Sequence, residues 1–249
     1  MRPLSVIITT LNEADNIAAV MASVAGADEI LVIDSFSEDD TRLIAEKKGA
    51  TVLQRTYQGP ADQKNWAIPQ ARNEWVLILD ADERVPLPLW NEIQQILSQE
   101  QIEMDGYWIN RQNHFMGQKI NYSGWQGDAV IRLIKRDVCR YDDKQVHEEI
   151  MTEGVKIARL SQKMDHYTFK NATHFLEKMR RYGEWSAKDH LEKTNSIGLV
   201  HLWGKPLFRF IKHFFLQRGF LDGRVGFIIS VIMAWGVFLR YLYMLELKK

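Results

Sequence analysis

Two carboxylates one residue apart, Asp80 and Asp82, stand directly after the apolar run Trp75-Val76-Leu77-Ile78-Leu79. Five consecutive large or β-branched residues predict a strand covered on both faces. In an open α/β sheet the carboxyl end of such a strand opens into the ligand crevice. A carboxylate pair there suits a hard divalent cation, which takes oxygen ligands and shares them with substrate phosphates. The plainer reading is that Asp80 and Asp82 only cap the strand and start the Glu83-Arg84 turn. Taken alone, the Asp-x-Asp spacing does not decide between the two.

The elements that would position this pair begin at the N-terminus. Leu4-Ser5-Val6-Ile7-Ile8 is a second apolar run and leads into Thr9-Thr10-Leu11-Asn12-Glu13. Asn12 and Asp15 make a capping-box-like start. Ile17, Val20, Met21 and Val24 follow at helical spacing, and Gly26 is the expected helix end. A third run, Ile30-Leu31-Val32-Ile33, ends on Asp34 and a polar turn from Ser35 to Thr41; a short helix then reaches Gly49, and Thr51-Val52-Leu53 makes a further strand. Strand, helix, strand, helix, strand is the pattern of a parallel sheet with right-handed crossovers. Neither G-x-G-x-x-G nor G-x-x-x-x-G-K follows the first strand, which disfavours a dinucleotide or P-loop site.

A chain of 249 residues buries a real core and needs no more than one catalytic domain. The single cysteine, Cys139, excludes an internal disulfide and fits a reducing compartment. Met1-Arg2-Pro3 runs straight into the first strand without a charged-then-apolar leader, so secretion is not expected. Lys plus Arg and Asp plus Glu balance at 32 each, but unevenly: from His201 to Lys249 eight basic residues face two acids, Asp222 and Glu246. A nucleic-acid protein carries its positive charge over the folded core, so no nucleic-acid partner is expected.

These ordered motifs resemble family 2 glycosyltransferases of the GT-A fold, and within them the bacterial lipopolysaccharide-core enzymes related to β-1,4-glucosyltransferases. The resemblance runs over Ser5–Glu13, Val32–Thr41, Gln63-Lys64-Asn65-Trp66-Ala67 and Leu79–Glu83 to Val146-His147-Glu148, with Gly219-Phe220-Leu221-Asp222-Gly223 also similar. It implies an α/β fold, a Rossmann-like, mainly parallel sheet flanked by helices. It further implies a metal-dependent, inverting transfer of a sugar from a nucleotide-diphosphate donor, UDP-glucose or similar, to a glycolipid such as lipopolysaccharide core.

By the same resemblance, Thr10, Asn12, Glu13, Asp34, Gln63, Lys64, Asn65, Asp80 and Ala81 contact the donor. Asp82, with Asp80 and with His166 completing the shell, holds Mg²⁺ or Mn²⁺. An inverting transferase also needs a carboxylate to deprotonate the acceptor hydroxyl. Asp128, Asp142, Asp143, Glu148 and Glu149 are the candidates; Glu148 is favoured and Asp128 is second. Trp125 and His147 fall on the acceptor side. Each has a structural alternative: Asn12 a helix cap, Asp34 a turn residue, Lys64 a solvated helix residue, Trp125 core filler. Arg132 either faces the diphosphate or is a plain strand arginine.

The chain divides, on this reading, into a catalytic domain of residues 1–170, with a nucleotide-binding half 1–85 and an acceptor half 86–170, and a helical C-terminal region 171–249. Leu207-Phe208-Arg209-Phe210-Ile211-Lys212-His213-Phe214-Phe215 mixes aromatic and basic residues as an interfacial helix does, and Val225–Leu239 carries no charge. The expectation is amphipathic and apolar helices resting on the inner face of the cytoplasmic membrane; the alternative is a helical hairpin packed on the catalytic domain or joining two copies in a homo-oligomer. Two other classes share such a sheet, a nucleotidyltransferase and a non-catalytic nucleotide-sugar scaffold. The first calls for a Gly-rich basic loop after the first strand, and the second for loss of the Asp-x-Asp or of every candidate base.

Overall fold

The computed structural model describes residues 1–142, 150–169, 171–191, 193–194 and 196–248. It divides into two units, one of Met1–Arg111 with Asp128–His166, the other of Gln112–Gly127 with Tyr167–Lys249. The sequence placed 112–127 with the catalytic domain; the structure groups it with the C-terminal helices.

In the first unit the apolar runs become strands: β1 (Leu4–Thr10), β2 (Glu29–Asp34), β3 (Thr51–Gln54) and β4 (Trp75–Asp80). Helices α1 (Ala14–Ser23), α2 (Thr41–Lys47) and α3 (Pro60–Ala67) alternate with them. All three pairings among these strands are parallel, with β1 between β2 and β4. Side chains alternate across the sheet as the two-residue period requires. Val6, Ile8, Val32, Leu77 and Leu79 face α1 and the later helix α4 (Leu87–Leu97), while Ile7, Leu31, Ile33, Val76 and Ile78 face α3. Both faces are therefore covered, and Trp75 to Leu79 are fully buried. Helix α1 ends at Ser23 and is capped by Glu13 without a side-chain bond. Asn12 takes the left-handed conformation at φ 54° instead.

Beyond β4 the sheet changes direction. The short β5 (Glu83–Arg84), then β6 (Gly106–Phe115), β8 (Ala129–Lys135) and β9 (Ile157–Phe169) give the order β3-β2-β1-β4-β8-β6-β9-β5. Strand β7 (Gln118–Lys119) forms a hairpin with the end of β6 in the second unit. Strand β8 runs antiparallel to β4 and β6, and β5 antiparallel to β9, so the sheet as a whole is mixed. Trp75 to Leu77, the first half of β4, pair with Lys135 to Leu133 of β8, and Glu83 lies opposite His166.

The second unit is built from α5 (Ala172–His190), α6 (Lys205–Ile211) and α7 (Gly223–Leu247). π-Helical turns, Val200–Gly204 and Lys212–Leu216, flank α6. Phe115, Ile120, Phe169, Phe175, Met179, Ile229 and Ile232 form its buried core. Helix α7 continues through Arg240 rather than stopping at the charge, and its apolar stretch has a mean hydropathy of 1.9, long and apolar enough to cross a membrane.

The Gly219–Gly223 motif proves to be a staple inside this unit. Asp222 is buried, and its carboxylate accepts from Asn121 N (3.0 Å), Tyr122 N (3.0 Å) and Ser123 Oγ (2.7 Å). A side chain at Gly226 would meet the Gly219 carbonyl oxygen at 1.9 Å, so glycine is required where α7 passes the turn. Replacing Asp222 by Ala strands three donors, each costing about 1–3 kcal/mol if left buried and unpaired. Urea denaturation of Asp222→Ala should therefore show a loss of about 2–4 kcal/mol, and Asp222→Asn, which keeps one acceptor oxygen, roughly half of it.

Candidate active site

The parallel register sets the geometry. Thr10 pairs with Asp34 and Thr9 with Asp80, so β1, β2 and β4 end at one edge. A cavity of ≈ 320 Å³ opens there, lined by Thr9, Thr10, Leu11, Glu13, Ser35, Tyr57, Pro60, Gln63, Lys64, Asp80, Ala81 and Asp82. Seven of the residues expected from the sequence line it: Thr10, Glu13, Gln63, Lys64, Asp80, Ala81 and Asp82. Thr10 Oγ1 is buried and finds no hydrogen-bond partner among the described residues. Gln63 Nε2 donates to Ser35 Oγ at 2.9 Å and Ile33 O at 3.3 Å.

Charge is concentrated at the end of β4. Arg132 comes from β8 with its side chain only 3% exposed, and Nη2 donates to Asp80 Oδ2 (2.5 Å) and to Glu83 Oε1 (2.9 Å). Asp80 Oδ1 accepts from Thr9 Oγ1 at 2.9 Å and lies 3.4 Å from Lys64 Nζ. Glu83, fully buried, also accepts the Asp80 main-chain N–H at 2.9 Å, which closes the Asp80–Glu83 turn. Arg111 reaches Glu83 at 3.5 Å and holds both oxygens of Asp128, at 2.6 and 2.9 Å. Burial opposes ionisation of Asp80, but the charges of Arg132 and then Lys64, with the Thr9 hydrogen bond, outweigh it and hold the carboxyl well below its ordinary range. Burial likewise opposes the Arg132 cation, and Asp80 and Glu83 overcome it, raising its pKa well above the ordinary value. Glu83 and Arg111 escaped the sequence reading; the one available signal was a third carboxylate directly after the Asp-x-Asp.

The β5–β9 pairing brings His166 Nε2 to 3.5 Å from Asp82 Oδ2. A carboxylate and an imidazole this close are a donor set that suits a divalent cation with further positions left for phosphate oxygens. No cluster of three or more His, Cys, Asp or Glu side chains of ligating geometry occurs among the described residues. A cation at Asp82 and His166 would thus complete its shell with oxygens of water or substrate.

Other expected residues have structural partners of their own. Asp34 is buried, and its oxygens accept from Ser37 N (3.1 and 3.3 Å), Ser37 Oγ (2.5 Å) and Gln54 Nε2 (3.1 Å). Asn12 Oδ1 accepts from Glu38 N at 2.8 Å, tying the loop after β1 to the loop after β2. The Asn65 amide pairs with the main chain of Tyr141 at 2.8 and 2.9 Å. Trp125 belongs to the second unit, where its ring lies 5.9–6.3 Å from those of Phe115, Phe169 and Phe175. Glu148 and His147, with Asp143 and Glu149, lie outside the described residues.

A mixed sheet with helices on both faces and a carboxylate-rich crevice at its parallel strand ends resembles the GT-A fold. Residues 5–146 match glycosyl transferase family 2, and the chain belongs to that family. It is 31% identical to an uncharacterized glycosyltransferase of Rickettsia felis, over 96% of this chain and 88% of that one. It is 25% identical to the lipopolysaccharide core biosynthesis glycosyltransferase LpsC of Rhizobium meliloti, over 96% of this chain and 93% of that one. Glucosyl-3-phosphoglycerate synthase from Mycobacterium tuberculosis, solved with Mn²⁺, UDP and glucosyl-3-phosphoglycerate, overlaps only in part: TM-score 0.38 and 24% identity, over 45% of this chain and 44% of that one.

Removing the buried cation tests the charge cluster. Arg132→Met leaves Asp80 and Glu83 facing each other and should cost about 3 kcal/mol, with Arg132→Lys recovering part of it. The pH dependence has a definite sign. Because the folded protein favours ionised Asp80, the linked stability is fully present above the ordinary aspartate value of 3.8 and is lost as pH falls through the depressed folded value. Loss of Arg132 raises that folded value, so acid unfolding followed by circular dichroism should begin at a higher pH in Arg132→Met than in the wild type.

Proposed function

We propose that this glycosyltransferase is inverting and transfers a hexose from a nucleoside-diphosphate donor, UDP-glucose or a close analogue, to a glycolipid such as lipopolysaccharide core. The observation that carries this reading is the cavity at the ends of β1 and β4, where Asp82 sits beside His166 and Lys64 beside Asp80. The name of the Rhizobium meliloti relative supports the lipopolysaccharide acceptor.

The nucleoside is bound by the walls that Thr10, Glu13, Ser35 and Gln63 provide, with Asn12 and Asp34 shaping the loops behind them and Asn65 fixing α3 through Tyr141. The unpartnered Thr10 hydroxyl fits a ligand that supplies its hydrogen bond. Lys64, already held beside Asp80, places a cation next to the diphosphate, and Ala81 keeps the turn between the two aspartates small. Asp82 and His166 would hold Mg²⁺ or Mn²⁺, which offsets the charge that grows on the departing diphosphate. Asp80, whose oxygens are shared among Thr9, Lys64 and Arg132, orients the site.

In the transfer itself the acceptor oxygen forms its bond to the anomeric carbon while the bond to the diphosphate oxygen breaks. The acceptor's proton passes to a carboxylate on the opposite side of the sugar. Glu148 is proposed for that role. Asp128 is the second candidate, and its bidentate pairing with Arg111 favours Glu148. Trp125 and His147 are proposed on the acceptor side by resemblance alone. The acceptor's lipid places the enzyme at the inner face of the cytoplasmic membrane.

Transfer assayed over a panel of nucleotide sugars should single out one donor. Asp82→Ala should then reduce transfer by about 10³-fold without unfolding the protein; wild-type activity of that variant in a chelator would exclude the metal site. Glu148→Gln should lower turnover by roughly 10²–10⁴-fold with donor KM almost unchanged. A large loss in Asp128→Asn with none in Glu148→Gln would move the base to Asp128.

A further inference from the structure

The C-terminal helices of the second unit leave many large apolar side chains in solvent. Trp203, Leu207, Phe208, Ile211 and Phe215 recur at intervals of four, one, three and four residues, the spacing of one helical face, and all are exposed, Trp203 by 68%. Phe227, Val231 and Trp235 extend the exposed apolar surface along α7 at intervals of four. An apolar patch of this kind on a folded unit marks an interaction surface.

This face is stiff. Phe210 stacks on Phe214 at 5.4 Å, and Phe227 meets both edge-on at 5.7 Å. Trp203 lies 6.0 Å from Phe238, and Lys205 Nζ donates to Tyr241 OH at 2.9 Å, so α6 is bound to α7 along its length. Buried His213 fixes the following turn through Ser123 O at 2.7 Å. The exposed side chains are therefore presented by a braced two-helix platform.

Charge selects the occupant. Between residues 199 and 224 Lys212, Arg218 and Arg224 are exposed, whereas Arg209 is half-buried beside His213 and Lys205 is bonded to Tyr241; the one acid there, Asp222, is buried and occupied by the 121–123 segment. Two copies meeting through this face would oppose like charges, whereas anionic headgroups complement it. Apolar residues flanked by Lys and Arg are what an interfacial helix needs.

The structure also separates this platform from a membrane span. Although α7 is long enough to cross, only its outer side is open. Ile229, Ile232, Val237, Leu239 and Met244 are buried, and a side chain at Gly183 of α5 would meet Leu239 Cβ at 3.1 Å. Crossing a bilayer would strip α5 and α6 from α7. We infer that the protein binds an anionic lipid bilayer monotopically, through the exposed apolar face of α6, the outer side of α7 and the exposed cations Lys212, Arg218 and Arg224, with α7 serving as a packed strut rather than a transmembrane segment. The inference deepens the glycolipid-acceptor reading and rests on it only for its purpose, which is to hold the catalytic unit at the surface where the acceptor is embedded.

Flotation of the full chain with phosphatidylcholine vesicles, with and without phosphatidylglycerol, tests it. Binding should require phosphatidylglycerol and weaken as salt rises. The combined Leu207→Ser, Phe208→Ser, Phe215→Ser variant should bind at least about tenfold more weakly, while its thermal unfolding and its UDP binding stay at wild-type level. Lys212→Gln with Arg224→Gln should lose about fivefold per cation and much of the salt dependence. A tag on the C-terminus should remain open to protease added outside sealed vesicles. Failure of the wild type to bind anionic vesicles, or undiminished binding by the serine variant, overturns the inference. So does a protected tag, which would make α7 a span, or a dimer that the serine substitutions dissolve, which would assign the face to a second copy. None of these results bears on sugar transfer to a soluble acceptor, so this inference can fail while the transferase reading stands.

Discussion

The site depends on one buried cation. Arg132 is almost fully enclosed, yet it carries its charge because Asp80 and Glu83 share it. An arginine in that position without its carboxylates would be too costly to bury, and the carboxylates without the arginine would repel each other at the end of a buried strand. The arrangement fixes the turn from Asp80 to Glu83, because Glu83 accepts both the Arg132 guanidinium and the Asp80 main-chain N–H. With the turn closed, Asp82 is left a third open and next to His166. A carboxylate locked by Thr9, Lys64 and Arg132, and a second of similar exposure set beside His166, thus follow from a single charge-pairing constraint.

That division of labour separates residues that shape the crevice from residues that line it. Asp34, Asn12 and Asn65 spend their polar atoms on neighbouring loops, which holds the walls in place. Thr10, Gln63, Lys64 and Asp82 face the cavity. Gln63 and Lys64 are both nearly enclosed, so little side-chain freedom remains for a ligand to quench.

The parallel half of the sheet was legible because its strands are buried on both faces and appear as unbroken apolar runs. Trp75–Leu79 and Leu4–Ile8 have no polar alternation to confuse a strand with a helix, apart from Ser5, whose hydroxyl is absorbed by Glu29 at 2.6 Å. Non-local pairings were not legible. The antiparallel entry of β8 beside β4 joins residues 52 positions apart, so the partnership of Arg132 with Asp80 leaves no local trace. His166 had an expected role but no geometry until β9 paired with β5. Asn12 looked like a helix cap, yet the loop contact with Glu38 claimed its side chain and Glu13 took the cap position. Trp125 could be read as a sugar platform or a core residue; the structure surrounds it with phenylalanines of the second unit.

The central claim is that the Asp82–His166 corner binds a nucleoside diphosphate together with a divalent cation. Calorimetric titration of UDP into the wild-type protein, once with Mn²⁺ and once with a chelator, measures this directly. The expected result is one site per chain whose affinity rises by at least about tenfold with Mn²⁺, roughly 1.4 kcal/mol or more of coupling. Equal affinity in Mn²⁺ and in chelator would contradict it.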